Sequence, residues 1–176
     1  TDPATQQNLG NTVTCAQIGK TLLAKVHDVC NGNSCTGSIQ IKDNLPPKIS
    51  CPSLVVPCAL PSYTPAYLGT QNVPNASPPA SDNCGAPTLG YVDVFHNLDC
   101  DGPAIQGVAD LSAYIERKWT AQDQQGNTAG CMQYILLKRV HLPELQMPAN
   151  ITIGCSSPNI QVGATGAPSV LFNGKK

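Results

Sequence analysis

Sixteen prolines spread through 176 residues constrain this chain more than any other feature. Each proline removes a backbone donor and clashes with the preceding helical turn, so long helices are excluded. The pairs Pro46-Pro47 and Pro78-Pro79 read as extended connectors. Short strands between turn signals remain, the pattern of a β-sandwich. The expected strands are Thr12 to Ile18, Leu22 to Asp28, Cys35 to Asp43, Leu54 to Leu60 and Gly90 to His96. Ala113 to Asp123, Thr128 to Val140, Ile151 to Cys155 and Ile160 to Val162 complete the set. The clearest alternation puts Ile115, Arg117, Trp119 and Ala121 on one face, towards the core, with Arg117 near the sheet end. Asn31-Gly32-Asn33 and Gln125-Gly126-Asn127 are hairpin turns, because Gly and Asn tolerate positive φ. Ala109 to Arg117 could hold one helical turn, but no apolar stripe at helical spacing persists.

Nine cysteines place the chain in an oxidising compartment. Zinc would need paired ligands at short spacing. Four residues lie between Cys30 and Cys35 and six between Cys51 and Cys58, and no His pair accompanies them. Disulfides are therefore expected, and the odd count leaves one cysteine free, joined to another chain, or cut off from its partner. The net charge of −1 provides no electrostatic footprint for nucleic acid. Hydrophobic residues at 41% suffice for a core, while charged residues at 12% are about half the usual ~25%. No run of about 18 apolar residues offers a membrane-spanning helix. Residue 1 does not open a signal peptide, as expected of a mature or excised fragment.

An internal repeat is visible around the two turns. Gly32-Asn33-Ser34-Cys35 matches Gly126-Asn127-Thr128-Ala129-Gly130-Cys131. Each leads into an apolar strand, a Leu-Pro connector and a further strand ending in Cys58 or Cys155. The offset is 96 residues from Cys35 to Cys131 and 97 from Cys58 to Cys155, the length of one Ig-sized sandwich. Residues 1–45 then form the C-terminal part of one repeat, 46–142 a complete repeat, and 143–176 the start of another. Three arrangements stay open. The chain is a window from a longer array, its incomplete ends complete one another between copies, or both ends meet within one chain. Cys30 and Cys51 align near Gln125 and Met147, so they disappear together in the second copy, which suggests that they pair. Cys58, Cys84, Cys100 and Cys131 remain for two bridges within the complete repeat, and Cys155 would pair beyond residue 176.

Lys118-Trp119-Thr120-Ala121-Gln122-Asp123, Gly126-Asn127-Thr128-Ala129 and Cys131 carry a family likeness. So do Asp43-Asn44-Leu45-Pro46-Pro47-Lys48-Ile49-Ser50-Cys51-Pro52, Cys58 and Ser81-Asp82-Asn83-Cys84. The pattern resembles the hyalin-repeat (HYR-like) and Ig-like repeats of very large secreted proteins of Bacteroidota-type bacteria, over roughly residues 21–60 and 80–160. Gln125 stands where that family often has cysteine, and Met147 where Cys51 predicts one. The resemblance implies spacers and adhesive stalks on cell surfaces or in extracellular filaments.

Few residues suggest a ligand. Asn97, Asp99 and Asp101 before Gly102 fit the first half of a calcium loop, against the plainer reading of a polar turn carrying a disulfide. No glutamate follows at the twelfth position, where Val108 sits. Tyr63 and Tyr67, in the Pro-rich stretch, could offer a platform for glycan or peptide, against loop packing. Trp119, the single tryptophan, reads as a core anchor against a disulfide. His27, His96 and His141 open no metal motif, and no nucleophile elbow or phosphate loop is present. Asn75-Ala76-Ser77 and Asn150-Ile151-Thr152 are glycosylation triplets.

The sequence thus predicts an all-β protein of disulfide-stabilised, Ig-like antiparallel sandwich repeats, extracellular or on the cell surface, and not an enzyme. No cofactor beyond calcium is expected. The expected role is structural or adhesive, with further copies or neighbouring repeats as partners and no nucleic acid or membrane insertion. The alternative is a glycan- or protein-binding accessory module.

Overall fold

The computed structural model describes residues 1, 10, 12–99, 101–152 and 166–173. The chain is all-β, with ten strands and one short α-helix among the described residues. The strands are β1 (Thr21–His27), β2 (Ser34–Gln40), β3 (Lys48–Ile49), β4 (Leu54–Pro57) and β5 (Ala80–Ser81). They continue with β6 (Thr88–Asn97), β7 (Leu111–Gln122), β8 (Thr128–Lys138), β9 (Leu145–Gln146) and β10 (Ser169–Val170). Two compact units share them. The first comprises Thr1–Lys48, Ala80–Leu89 and Ala121–Ala129, and the second Ile49–Pro79, Gly90–Thr120 and Gly130–Lys176.

In the first unit β1 and β2 form an antiparallel hairpin, with Thr21 opposite Gln40 and His27 opposite Ser34. Its turn is the expected one. Gly32 takes a φ of +76°, and Asp28 and Asn31 accept backbone N–H bonds from Cys30 and Asn33. Thr12 to Ile18, expected as a strand, instead contains a single 3-10 turn at Cys15–Gln17. Thr14 caps it, its N–H and hydroxyl both donating to Gln17 Oε1. Apolar burial in this unit is slight, and every residue of β2 is exposed.

The second unit is built on a four-stranded sheet in the order β4-β8-β7-β6. β4 lies parallel to β8, with Leu54 opposite Ile135 and Pro57 opposite Lys138, so the sheet is mixed rather than wholly antiparallel. β7 alternates as its sequence requires, burying Leu111, Ala113, Ile115, Arg117, Trp119 and Ala121. The core joins Leu54, Val56, Leu68, Ala76, Ala113, Ile115, Ile135 and Leu137, with Phe172 packed against it. Leu68 reaches this core from α1 (Pro65–Thr70), a helix the sequence did not predict. Thr64 caps it by accepting the Tyr67 N–H, and Pro65 occupies the first turn, where a missing donor costs nothing.

Arg117 corrects the sequence reading. It lies in mid-strand, not near a sheet end, and its side chain is wholly buried. Its guanidinium donates to both Asp93 carboxylate oxygens at 2.7 and 2.8 Å and to the Tyr63 carbonyl at 2.7 Å. It also lies 4.5 Å from the Tyr91 ring centre, a cation–π distance. Trp119 is a core anchor as expected, and its indole N–H donates to Gln133 Oε1 at 2.9 Å. Gln133 in turn donates to the Pro52 and Asn75 carbonyls, both at 3.0 Å. One buried amide thereby satisfies three groups. Of the C-terminal strand expectations, Ile151 and Thr152 are not in a strand, and 153–155 and 160–162 lie outside the described residues.

Candidate functional site

Among the described residues there are two disulfides, Cys15–Cys84 in the first unit and Cys51–Cys131 in the second. Their Cα separations are 5.3 and 5.8 Å. Cys51 therefore pairs with Cys131 and not with Cys30. Cys30 occupies the β1–β2 turn, where Asp28 accepts its N–H, and Cys35 stands opposite Val26 in the hairpin. Both are exposed free thiols, and Cys58 is a half-buried one, so these three depart from the expected disulfide set. Cys84 leaves the expected set of bridges within 46–142, because its partner is Cys15. Cys100 and Cys155 lie outside the described residues.

The expected tyrosine platform is not exposed. Tyr63 and Tyr67 are half-buried and pack against the second unit's core. The Tyr63 hydroxyl donates to the Cys58 carbonyl at 2.7 Å. Burial and the neighbouring Cys58 push its pKa up to about 12, against a smaller lowering by the Leu60 backbone. These tyrosines turn inward because α1 carries Tyr67 beside Leu68, and Tyr63 immediately precedes the Thr64 cap.

Asn97 ends β6, and Asp99 and Asp101 lie between β6 and β7. The Asp99 carbonyl accepts from Gly102 N–H and from Arg139 Nη2, each at 2.9 Å. That makes the segment a tied turn. The histidines are dispersed. His96 stacks on Tyr114 and faces Glu116 at 3.4 Å, while His141 bonds Asp110 at 2.6 Å. Ser112 gives its hydroxyl to the Leu137 carbonyl.

A different acidic group stands out. Asp43, Asp82 and Asp123, all in the first unit, each place a carboxylate oxygen within 4.8 Å of the others. Each is oriented by an N–H two residues on, from Leu45 at 3.0 Å, Cys84 at 2.9 Å and Gln125 at 2.9 Å. Asn127 ties two of them together. Its side-chain amide donates to Asp123 Oδ2 at 2.7 Å and to the Asp43 carbonyl at 3.0 Å. For Asp123, desolvation acts to raise the pKa. Hydrogen bonds from the Asn127 side chain and from the N–H groups of Asn127, Gln125 and Gly126 outweigh it and hold the carboxyl below its usual range. Like charges brought this close repel one another. Contiguous motif reading missed the group because its members lie about 40 residues apart. Its local signals are the Asp-Asn pairs at 43 and 82 and Asp123 before the Gly126-Asn127 turn.

No protein-family model, curated protein or solved structure matches the chain.

Proposed function

We propose that this chain is a non-catalytic, Ig-like structural or adhesive module of an extracellular filament or surface stalk. The observation that carries this reading is the overlap of the two disulfides. Cys51 falls within the loop closed by Cys15–Cys84, and Cys84 falls within the loop closed by Cys51–Cys131. Between Cys15 and Cys131 lie 116 residue steps, but with both bridges closed the shortest covalent path uses the 33 steps from Cys51 to Cys84. At about 3.5 Å per residue, full extension falls from about 400 Å to about 115 Å. A tethering segment under load gains most from such a constraint, and disulfides persist outside the cell.

The repeat reading rests on the 96- and 97-residue offsets and on matching Gly-Asn turns at 32–33 and 126–127. Association of copies is favoured by low charge and by β6, an edge strand on which Val92, Val94 and Phe95 are exposed. The test is electron microscopy of native, unreduced material with particle mass determined alongside. Fibres or stalks with a regular axial repeat support the role. Dispersed monomers that bind glycan on screening would replace it with the binding-module reading.

A further inference from the structure

The acidic group in the first unit leaves two enclosed carboxylate oxygens without hydrogen-bond partners. Asp43 is more than nine-tenths buried, and its Oδ2 is enclosed without a hydrogen-bond partner. Asp82 Oδ1 is likewise enclosed and unpartnered. The other oxygen of each residue accepts a backbone N–H, so each carboxylate has one bound and one bare oxygen, and both belong to the same three-acid group. Buried polar atoms left unpaired in this way call for a bound water or ion. Bare, buried carboxylate oxygens in a group of three acids suit a cation.

We propose that Asp43, Asp82 and Asp123 bind one calcium ion. All three donors are hard carboxylate oxygens, the ligands of calcium and magnesium rather than of zinc or copper. Calcium accepts flexible shells of about six to eight oxygens, whereas magnesium demands near-ideal octahedral geometry and keeps several waters. Three carboxylates brought together from separate segments suit the more permissive ion. Asp43 also lines an open cleft with Ile41, Asn44 and Asn83, which gives solvent a route to the site.

The first unit explains why an ion is useful there. Among its described residues only Leu22, Asp43, Pro47 and Ala121 are buried, so it lacks an apolar core of its own. Small units of that kind rely on disulfides or metals. Cys15–Cys84 is one staple. The ion is the second, joining the segments around residues 43, 82 and 123.

The test is calorimetric titration of calcium into the full chain after chelator treatment and dialysis. One site per chain is expected, with a Kd on the order of 10⁻⁴ M, in the range of extracellular modules. Asp43→Asn and Asp82→Asn should each weaken binding by at least about 10-fold, the loss of one charged ligand, while an Asp99→Asn/Asp101→Asn variant titrates as the parent does. A second measurement guards against misfolding. In chelator Asp43→Asn should melt at or above the parent, because it removes one of three like charges, and in calcium it should melt below it. The proposal is overturned by absence of saturable binding, by binding unchanged in both single variants, or by magnesium binding as tightly. A melting loss for Asp43→Asn of equal size in chelator and in calcium also overturns it.

Discussion

Removing the Asp93 carboxylate should expose how much the sheet depends on a buried charge. Arg117 has no exposed side-chain surface, while Asp93 is about one-third exposed at 34%. Truncating one partner of a fully buried ion pair costs about 3–5 kcal/mol, because the other charge is stranded. Water reaches Asp93, so the expected loss for Asp93→Asn is smaller, about 2–3 kcal/mol. Arg117→Met removes the charge itself. It forfeits the bonds to Asp93 and Tyr63 and the contact with Tyr91, and should cost about 1–2 kcal/mol. In the Arg117→Met background, Asp93→Asn should then cost nearly nothing. Urea denaturation followed by Trp119 fluorescence reads this cycle directly, since Trp119 is the only tryptophan and its ring centre lies 5.9 Å from the guanidinium carbon. A cost under about 0.5 kcal/mol for Asp93→Asn, or the same cost with and without Arg117, would mean that the buried guanidinium does not depend on this carboxylate.

Two further outcomes follow from the same core. Gln133→Leu should destabilise by about 2–4 kcal/mol, since it strands the Trp119 N–H and the Pro52 and Asn75 carbonyls together. Gln133→Glu should recover only the Trp119 bond, and denaturant midpoints would order the three proteins. Alkaline titration at the tyrosinate absorbance should show one of the five tyrosines ionising near pH 12, and Tyr63→Phe should remove that step. Its folded pKa lies above the ordinary 10. Neutral Tyr63 therefore supports the fold fully below pH 10, and the support is lost as pH rises through about 12. Titration of all tyrosines together would contradict this.

Local chemistry made some of the fold legible. The alternation of β7 and the Gly-Asn turns at 32–33 and 126–127 are set by neighbours in sequence, and they stand where they were read. α1 escaped because six residues are too few to show a helical period, although Thr64-Pro65 carries its start signal. Long-range partnerships escaped for another reason. Asp93 is 24 residues from Arg117, and the disulfide partners are 69 and 80 residues apart. Nothing in the local pattern encodes such choices, so the joint absence of counterparts to Cys30 and Cys51 near Gln125 and Met147 points to the wrong partner for Cys51. The acidic group is the same case, since each Asp reads alone as a turn residue.

The proposed extracellular role requires the two overlapping disulfides to be closed in the native protein. Mass-spectrometric peptide mapping of the native protein, alkylated on recovery and never reduced, tests it most directly. The expected result is two cross-linked peptide pairs, Cys15 with Cys84 and Cys51 with Cys131, and alkylated Cys30 and Cys35. Recovery of Cys15, Cys51, Cys84 and Cys131 as alkylated free thiols would contradict both the staples and the compartment.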